Sequence, residues 1–174
     1  MNTDTEIVNR VANSSLITLD LEALYPEGER LGFDLEPFLF QGLVLREKDF
    51  REAIAAFDWE QYRNANVFVY CSADAIVPTW AYMLVALKLS AVAKFVVNGN
   101  AEVLEIALFR KVLESIDLEQ YTGKKIVVKG CSKLPVPTDT YMEITRLLAP
   151  IVQSLMFGEP CSNVPLYKKP LQRS

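Results

Sequence analysis

The chain has 174 residues, of which 51% are hydrophobic and 23% charged, with a formal net charge of −4, three cysteines and no histidine. That is one domain's length in an ordinary globular mix, far from a disordered composition. Without histidine it holds no Ser-His-Asp or Cys-His machinery and no histidine-ligated zinc, haem or iron, and its acidic excess speaks against a nucleic-acid partner.

Residues 1–34 read as an N-terminal extension. Its first twelve residues carry Asp4, Glu6, Asn9 and Arg10 and lack the apolar core of a signal peptide. Leu16 to Leu21 alternates apolar and polar residues, the pattern of an extra edge strand, and Tyr25-Pro26-Glu27-Gly28 is a turn. The longest apolar stretch, Met83 to Val97, is broken by Lys88 and Lys94 and falls short of the ~20 residues of a membrane span. With an odd number of cysteines, a poor disulfide framework, these features predict a cytoplasmic protein with reduced thiols and no membrane partner.

An internal repeat organises the rest of the chain. Shifted by 59 positions, Phe50-Arg51 falls on Phe109-Arg110, and Asp58, Glu60, Gln61 and Tyr62 fall on Asp117, Glu119, Gln120 and Tyr121. Val77-Pro78-Thr79 falls on Val136-Pro137-Thr138, Tyr82-Met83 on Tyr141-Met142, and Gly99 on Gly158. About 16 identities over about 56 gapless positions stand against about three expected by chance. The chain therefore reads as a single domain, 1–174, built from half A (35–99) and half B (92–158), with a tail over 159–174.

Each half opens on an apolar run (Phe38–Phe40; Ala93–Val97) closed by Gly42 or Gly99. An amphipathic helix comes next, carrying Phe50, Ile54 and Phe57 in half A and Val103, Ile106, Phe109, Val112, Leu113 and Ile116 in half B. Then come an Asp-x-Glu-Gln-Tyr connection anchored by Tyr62 or Tyr121, and a continuous apolar strand, Val67–Tyr70 or Ile126–Lys129. After a cysteine-bearing loop a second helix begins, with Pro78 or Pro137 in its first turn. The expected fold class is α/β: a mostly parallel sheet with helices on both faces, a duplicated β-α-β-α unit plus an N-terminal edge strand.

All three cysteines share one local pattern. Cys71-Ser72 precedes Val77-Pro78, Cys131-Ser132 precedes Val136-Pro137, and Cys161-Ser162 precedes Val164-Pro165. Two of these loops leave the carboxyl ends of expected parallel strands, where ligands bind and where a helix N-terminus lowers a thiol's pKa. Converging thiolates from Cys71, Cys131 and Cys161 would hold zinc or an iron–sulphur cluster, with Asp74 or Glu159 as carboxylate ligand. The same cysteines also fit inert packing as small hydrophobes, or thiol chemistry. The repeat places Glu102 opposite Cys161, so the third thiol has no counterpart in half A.

Tyr82 and Tyr141 stand at equivalent helix positions, with rings suited to packing on the sheet and hydroxyls that reach either backbone or a ligand. Trp80, Met83 and Met142 are core or interface residues, and with Met156 they suggest a homodimer. Neither Gly-x-Gly-x-x-Gly nor a phosphate loop occurs, so no nucleotide is expected.

Val69–Met83, Lys129–Cys131 and Ser154–Lys168 together resemble an uncharacterised bacterial family, domain of unknown function 2480, over nearly the whole chain. The resemblance implies no activity, but it implies a link to iron–sulphur metabolism and iron–sulphur assembly proteins as partners. The expected function is thus a non-catalytic or accessory protein that binds a metal or iron–sulphur species through its cysteines. The alternative is a structural or interaction module with buried inert thiols and no cofactor. An enzyme stands third, its acid–base work left to Asp74, Glu159, Tyr82 or Tyr141.

Overall fold

The computed structural model describes residues 16–130 and 133–170. Its strands and helices are, in chain order, β1 (Leu16–Leu19), β2 (Arg30–Asp34), α1 (Glu47–Ala56), β3 (Asn66–Tyr70), α2 (Thr79–Leu89), β4 (Phe95–Asn98), α3 (Ala101–Glu114), β5 (Lys125–Lys129), α4 (Thr138–Leu148), β6 (Ser154–Glu159) and β7 (Ser162–Lys168). The fold is mixed α/β, with four α-helices and two sheets among the described residues. The chain divides into two compact units: an inserted unit, Pro26–Phe109, and a split unit formed by residues up to Tyr25 and from Arg110 onwards.

In the inserted unit the sheet order is β2-β3-β4, all parallel, with Leu31 opposite Val67 and Val67 opposite Val96. Parallel pairing demands a crossover, and α1 and α2 supply them. Phe50 and Ile54 of α1, and Ala81, Val85 and Leu89 of α2, are buried in one cluster with Val67 and Val69. Phe33 on β2 sits at its centre, 5.2–5.9 Å from the rings of Phe38, Phe57, Trp59 and Tyr62. The Trp59 indole N–H donates to the Ile54 carbonyl at 2.9 Å, so that ring is packed with its polar group satisfied.

In the split unit the order is β1-β5-β6-β7, the first three parallel and β7 antiparallel to β6. Ile126 and Val128 of β5 and Leu155 of β6 form a core with Leu113, Tyr121, Ile144 and Leu148. β1 is an edge strand, as its alternation predicts. The spans recur: β3 and β5 start at residues 66 and 125, α2 and α4 at 79 and 138, β4 and β6 at 95 and 154. Pro78 and Pro137 stand one residue before their helices, in extended backbone.

Two expected elements differ. Phe38–Phe40 is no strand: residues 36–38 make a 3-10 turn around Pro37, and Phe40 meets Val44 across a tight loop through Gln41 (φ 52°) and Gly42 (φ 69°). The first strand of that region is β2, whose aspartate ends it by accepting the Glu36 amide at 2.9 Å. The segment from 159 onwards is no loose tail either, because Ser162–Lys168 pairs back on β6.

Phe50 is fully buried while Glu52, on the same helix, is exposed. Phe50→Ala is expected to lower unfolding free energy by about 3–5 kcal/mol in urea denaturation. Glu52→Ala should stay within about 0.5 kcal/mol of the parent chain.

Candidate functional site

Cys71 follows β3 at the carboxyl end of the inserted unit's sheet, half-buried against the aromatic core. One strand over, the Asp34 carboxylate accepts the Ser72 amide at 2.9 Å and the Ser72 hydroxyl at 2.5 Å. Burial pushes Asp34 up, but the Ser72 hydroxyl together with the amides of Glu36, Ser72 and Leu35 outweighs it and holds the carboxyl below its ordinary value. The aspartate therefore anchors the cysteine loop to the end of β2. Asp74, further along that loop, is exposed. Tyr82 is half-buried beside Cys71, its hydroxyl pushed up by burial and then by the cysteine's charge.

The split unit has a corresponding corner with different chemistry. Asp20, just past β1, accepts Lys129 Nζ at 2.7 Å and the Glu22 amide at 3.0 Å. The Lys129 hydrogen bond leads the effects that lower Asp20, and the same bond leads those that raise Lys129. Glu22 Oε1 accepts the Lys133 amide at 3.1 Å, tying down the loop that leaves β5. Cys131 lies outside the described residues. Glu159 ends β6, and Cys161 sits at the tip of the β6–β7 hairpin, exposed.

These positions overturn the expected metal centre. Among the described residues no group of three or more histidine, cysteine, aspartate or glutamate side chains could hold a metal ion. The physical reason lies in the last loop. Glu159 pairs with Ser162, so the chain reverses in a tight hairpin and puts Cys161 at its tip, where the expected site needs that segment folded across the strand ends. Cys71 and Cys161 are free thiols. Their exposure, intermediate for Cys71 and high for Cys161, also fails the alternative of buried thiols.

An opening in the surface lies elsewhere. A shallow groove of about 310 Å³ runs between α2 and β4, lined by Met83, Ala86, Val96 and Val97, with Thr79, Tyr82, Ser90 and Asn98 as its polar groups. Met83 and Leu87, one turn apart on α2, are 63% and 71% exposed. β4 pairs with β3 on one side only, so its other edge carries no strand among the described residues. Asn98 closes the end of that edge, its side-chain amide donating to the Val69 carbonyl at 3.1 Å. Met83 and Met142 are marked by the repeat, and both are exposed. Leu87 carries no motif; the legible signal is α2 itself, an eleven-residue helix with Lys88 as its one charge. No helix of the described residues is long and apolar enough to cross a membrane.

The family model described as "Protein of unknown function (DUF2480)" matches residues 5–169, and the chain belongs to that family. No curated protein and no solved structure matches it.

Asp34 and Asp20 both titrate below their ordinary values when folded. Such groups add stability that is whole above the unfolded pKa, about 4, and lost as pH falls through the folded value. Unfolding free energy should therefore decline below about pH 4, and the double variant Asp20→Asn, Asp34→Asn should flatten that decline in urea titrations. At neutral pH, Asp34→Ala is expected to lower stability by about 1 kcal/mol.

Proposed function

We propose that this member of the family is a protein-binding module built from two copies of one α/β unit, one of which keeps its sheet edge open to an extended polypeptide segment. The recurring spans of β3 and β5, α2 and α4, and β4 and β6 support the duplication. So do matched contacts. Asp58 accepts the Glu60 amide at 3.1 Å and Asp117 the Glu119 amide at 3.0 Å, while Gln61 and Gln120 each donate to the aspartate's carbonyl. Arg51 lies over the Trp80 ring where Arg110 grips Asp139, the same pair of positions carrying different chemistry. Paired register makes Asp34 the counterpart of Asp20. The first strand of the split unit thus precedes the whole inserted unit in sequence.

Helices on both faces of the inserted sheet follow from one ion pair. Arg30 pairs in register with Asn66, so by strand alternation it projects from the face opposite Val67, and there its guanidinium meets Glu105 of α3 at 2.7 Å. α1 and α2 take the Val67 face, and α3 takes the other.

The observation that carries the function is the contrast between equivalent edges. β6 has its outer edge covered by β7, which runs antiparallel to it. β4, its counterpart, has no such cover among the described residues, and its edge residues Phe95-Val96-Val97-Asn98 include no charge, proline or bulge to deter pairing. An open edge beside an apolar groove is the geometry of strand addition, in which backbone hydrogen bonds supply affinity and side-chain pockets supply choice. A cytoplasmic setting suits such a module.

A photo-crosslinking amino acid at Leu87, introduced into the full chain in its own cells, should give covalent polypeptide adducts. Met83→Glu should abolish them, and the same crosslinker at Glu52 should give none. No polypeptide adduct at Leu87 would overturn the docking surface.

A further inference from the structure

We infer that the occupant of the β4 edge is a second copy of this chain, paired β4 to β4 across a two-fold axis. This rests on the strand-docking reading and names its partner. A two-fold axis normal to a sheet makes two identical edge strands antiparallel, which is the sense in which β7 covers β6. The duplicated unit thus displays, within one chain, the pairing that the open edge calls for.

The helices flanking the two edges differ in the same direction. Beside the covered edge, α4 carries Asp139, Glu143 and Arg146 and is amphipathic. Beside the open edge, α2 carries Lys88 alone, and Met83 and Leu87 form an uncharged exposed stripe along the groove. A helix that is apolar on its outer side as well as its inner side is one that becomes covered. Two-fold pairing lays α2 antiparallel to its copy, so the stripes meet each other while the two Lys88 ammonium groups fall at opposite ends.

Strand length favours a copy over a lone peptide. β4 offers only four residues of edge, which gives a single extended peptide few backbone hydrogen bonds. In a two-fold interface every residue of the patch is used twice, and the helix stripes add apolar contact to the strand pairing. The copy is also present wherever the chain is, so no molecule is left with a bare apolar edge.

Sedimentation velocity on the full chain from about 1 to 100 µM, a range that brackets a micromolar dimer, tests this directly. The wild-type chain should sediment as a dimer across the upper part of that range. Met83→Glu with Leu87→Glu should weaken the dimer at least tenfold, while Met142→Glu with Val164→Glu, in the split unit, should leave it intact. Both pairs of positions are exposed, so the folded chain should survive. In the wild type, hydrogen exchange at residues 95–98 should slow as concentration rises, a readout that needs no variant. A wild-type chain that stays monomeric overturns the self-pairing, and so does a dimer indifferent to the α2 substitutions or dependent on Met142 and Val164. In those cases, adducts at Leu87 to other polypeptides would still uphold the docking surface, and their absence would bring down both.

Discussion

Parallel strand pairing is the constraint on which the whole of this protein depends. A parallel neighbour cannot be reached by a tight turn, so each strand must be followed by a crossover long enough to return the chain to the same end of the sheet. In the inserted unit α1 and α2 are those returns, and their buried residues fill the Val67 and Val69 face. The strand ends then collect at one edge, and the loops leaving them have to be held. Asp34 does this through Ser72, and Asp20 through Lys129 and its own turn. What looks like a site at that edge is thus occupied by its own fastenings. The hydrogen-bonding capacity of both carboxylates is directed at the loops themselves.

The edge perpendicular to this one is governed by a different requirement. An unpaired strand presents a row of backbone donors and acceptors that must meet water or another strand. The split unit meets the need with a hairpin, using its last described residues for β7. The inserted unit cannot do the same, because the residues after Gly99 begin α3 at once. Gly99 and Gly158 both hold positive φ, 143° and 128°, yet one leads into a helix and the other into a hairpin. The fate of a few residues after an equivalent glycine separates a closed edge from an open one.

Much of this is legible in the chain. The repeat locates β3, β5, α2 and α4 closely, because central parallel strands and the helices packed on them bury their residues on regular spacings. β2 escapes such a reading. Arg30-Leu31-Gly32-Phe33-Asp34 puts a charge at each end and a glycine in the middle, and only Phe33 of its five residues is buried. Gly32 is small because the rings of Phe68 and Tyr70 lie over it, a tertiary cause that no local pattern carries. Phe38–Phe40 reads as a strand because it is aromatic, but Phe38 serves the Phe33 cluster from a turn. The thiols mislead for a related reason. A recurring Cys-Ser-Pro pattern records where loops leave strands; whether the sulphurs converge depends on the path of the final hairpin, which the proline within β7 obscures in sequence.

The order of the strands along the chain has a temporal meaning. β2, β3 and β4 lie within 69 residues of one another, from Arg30 to Asn98, so the inserted unit has all its sheet partners as soon as that stretch is made. β1 has no such neighbour. Its partner begins at Lys125, and 106 positions separate Leu19 from it. At a synthesis rate of about 5–20 residues per second, Leu16–Leu19 waits roughly 5–20 s for its partner strand. During that interval a finished sheet with an open parallel edge stands further along the same nascent chain. β1 is short, four residues, and its one buried side chain is Leu19, which limits how well it can pair in the wrong place. Brevity in the first strand is thus a safeguard for a chain in which one unit folds before the two parts of the other can meet.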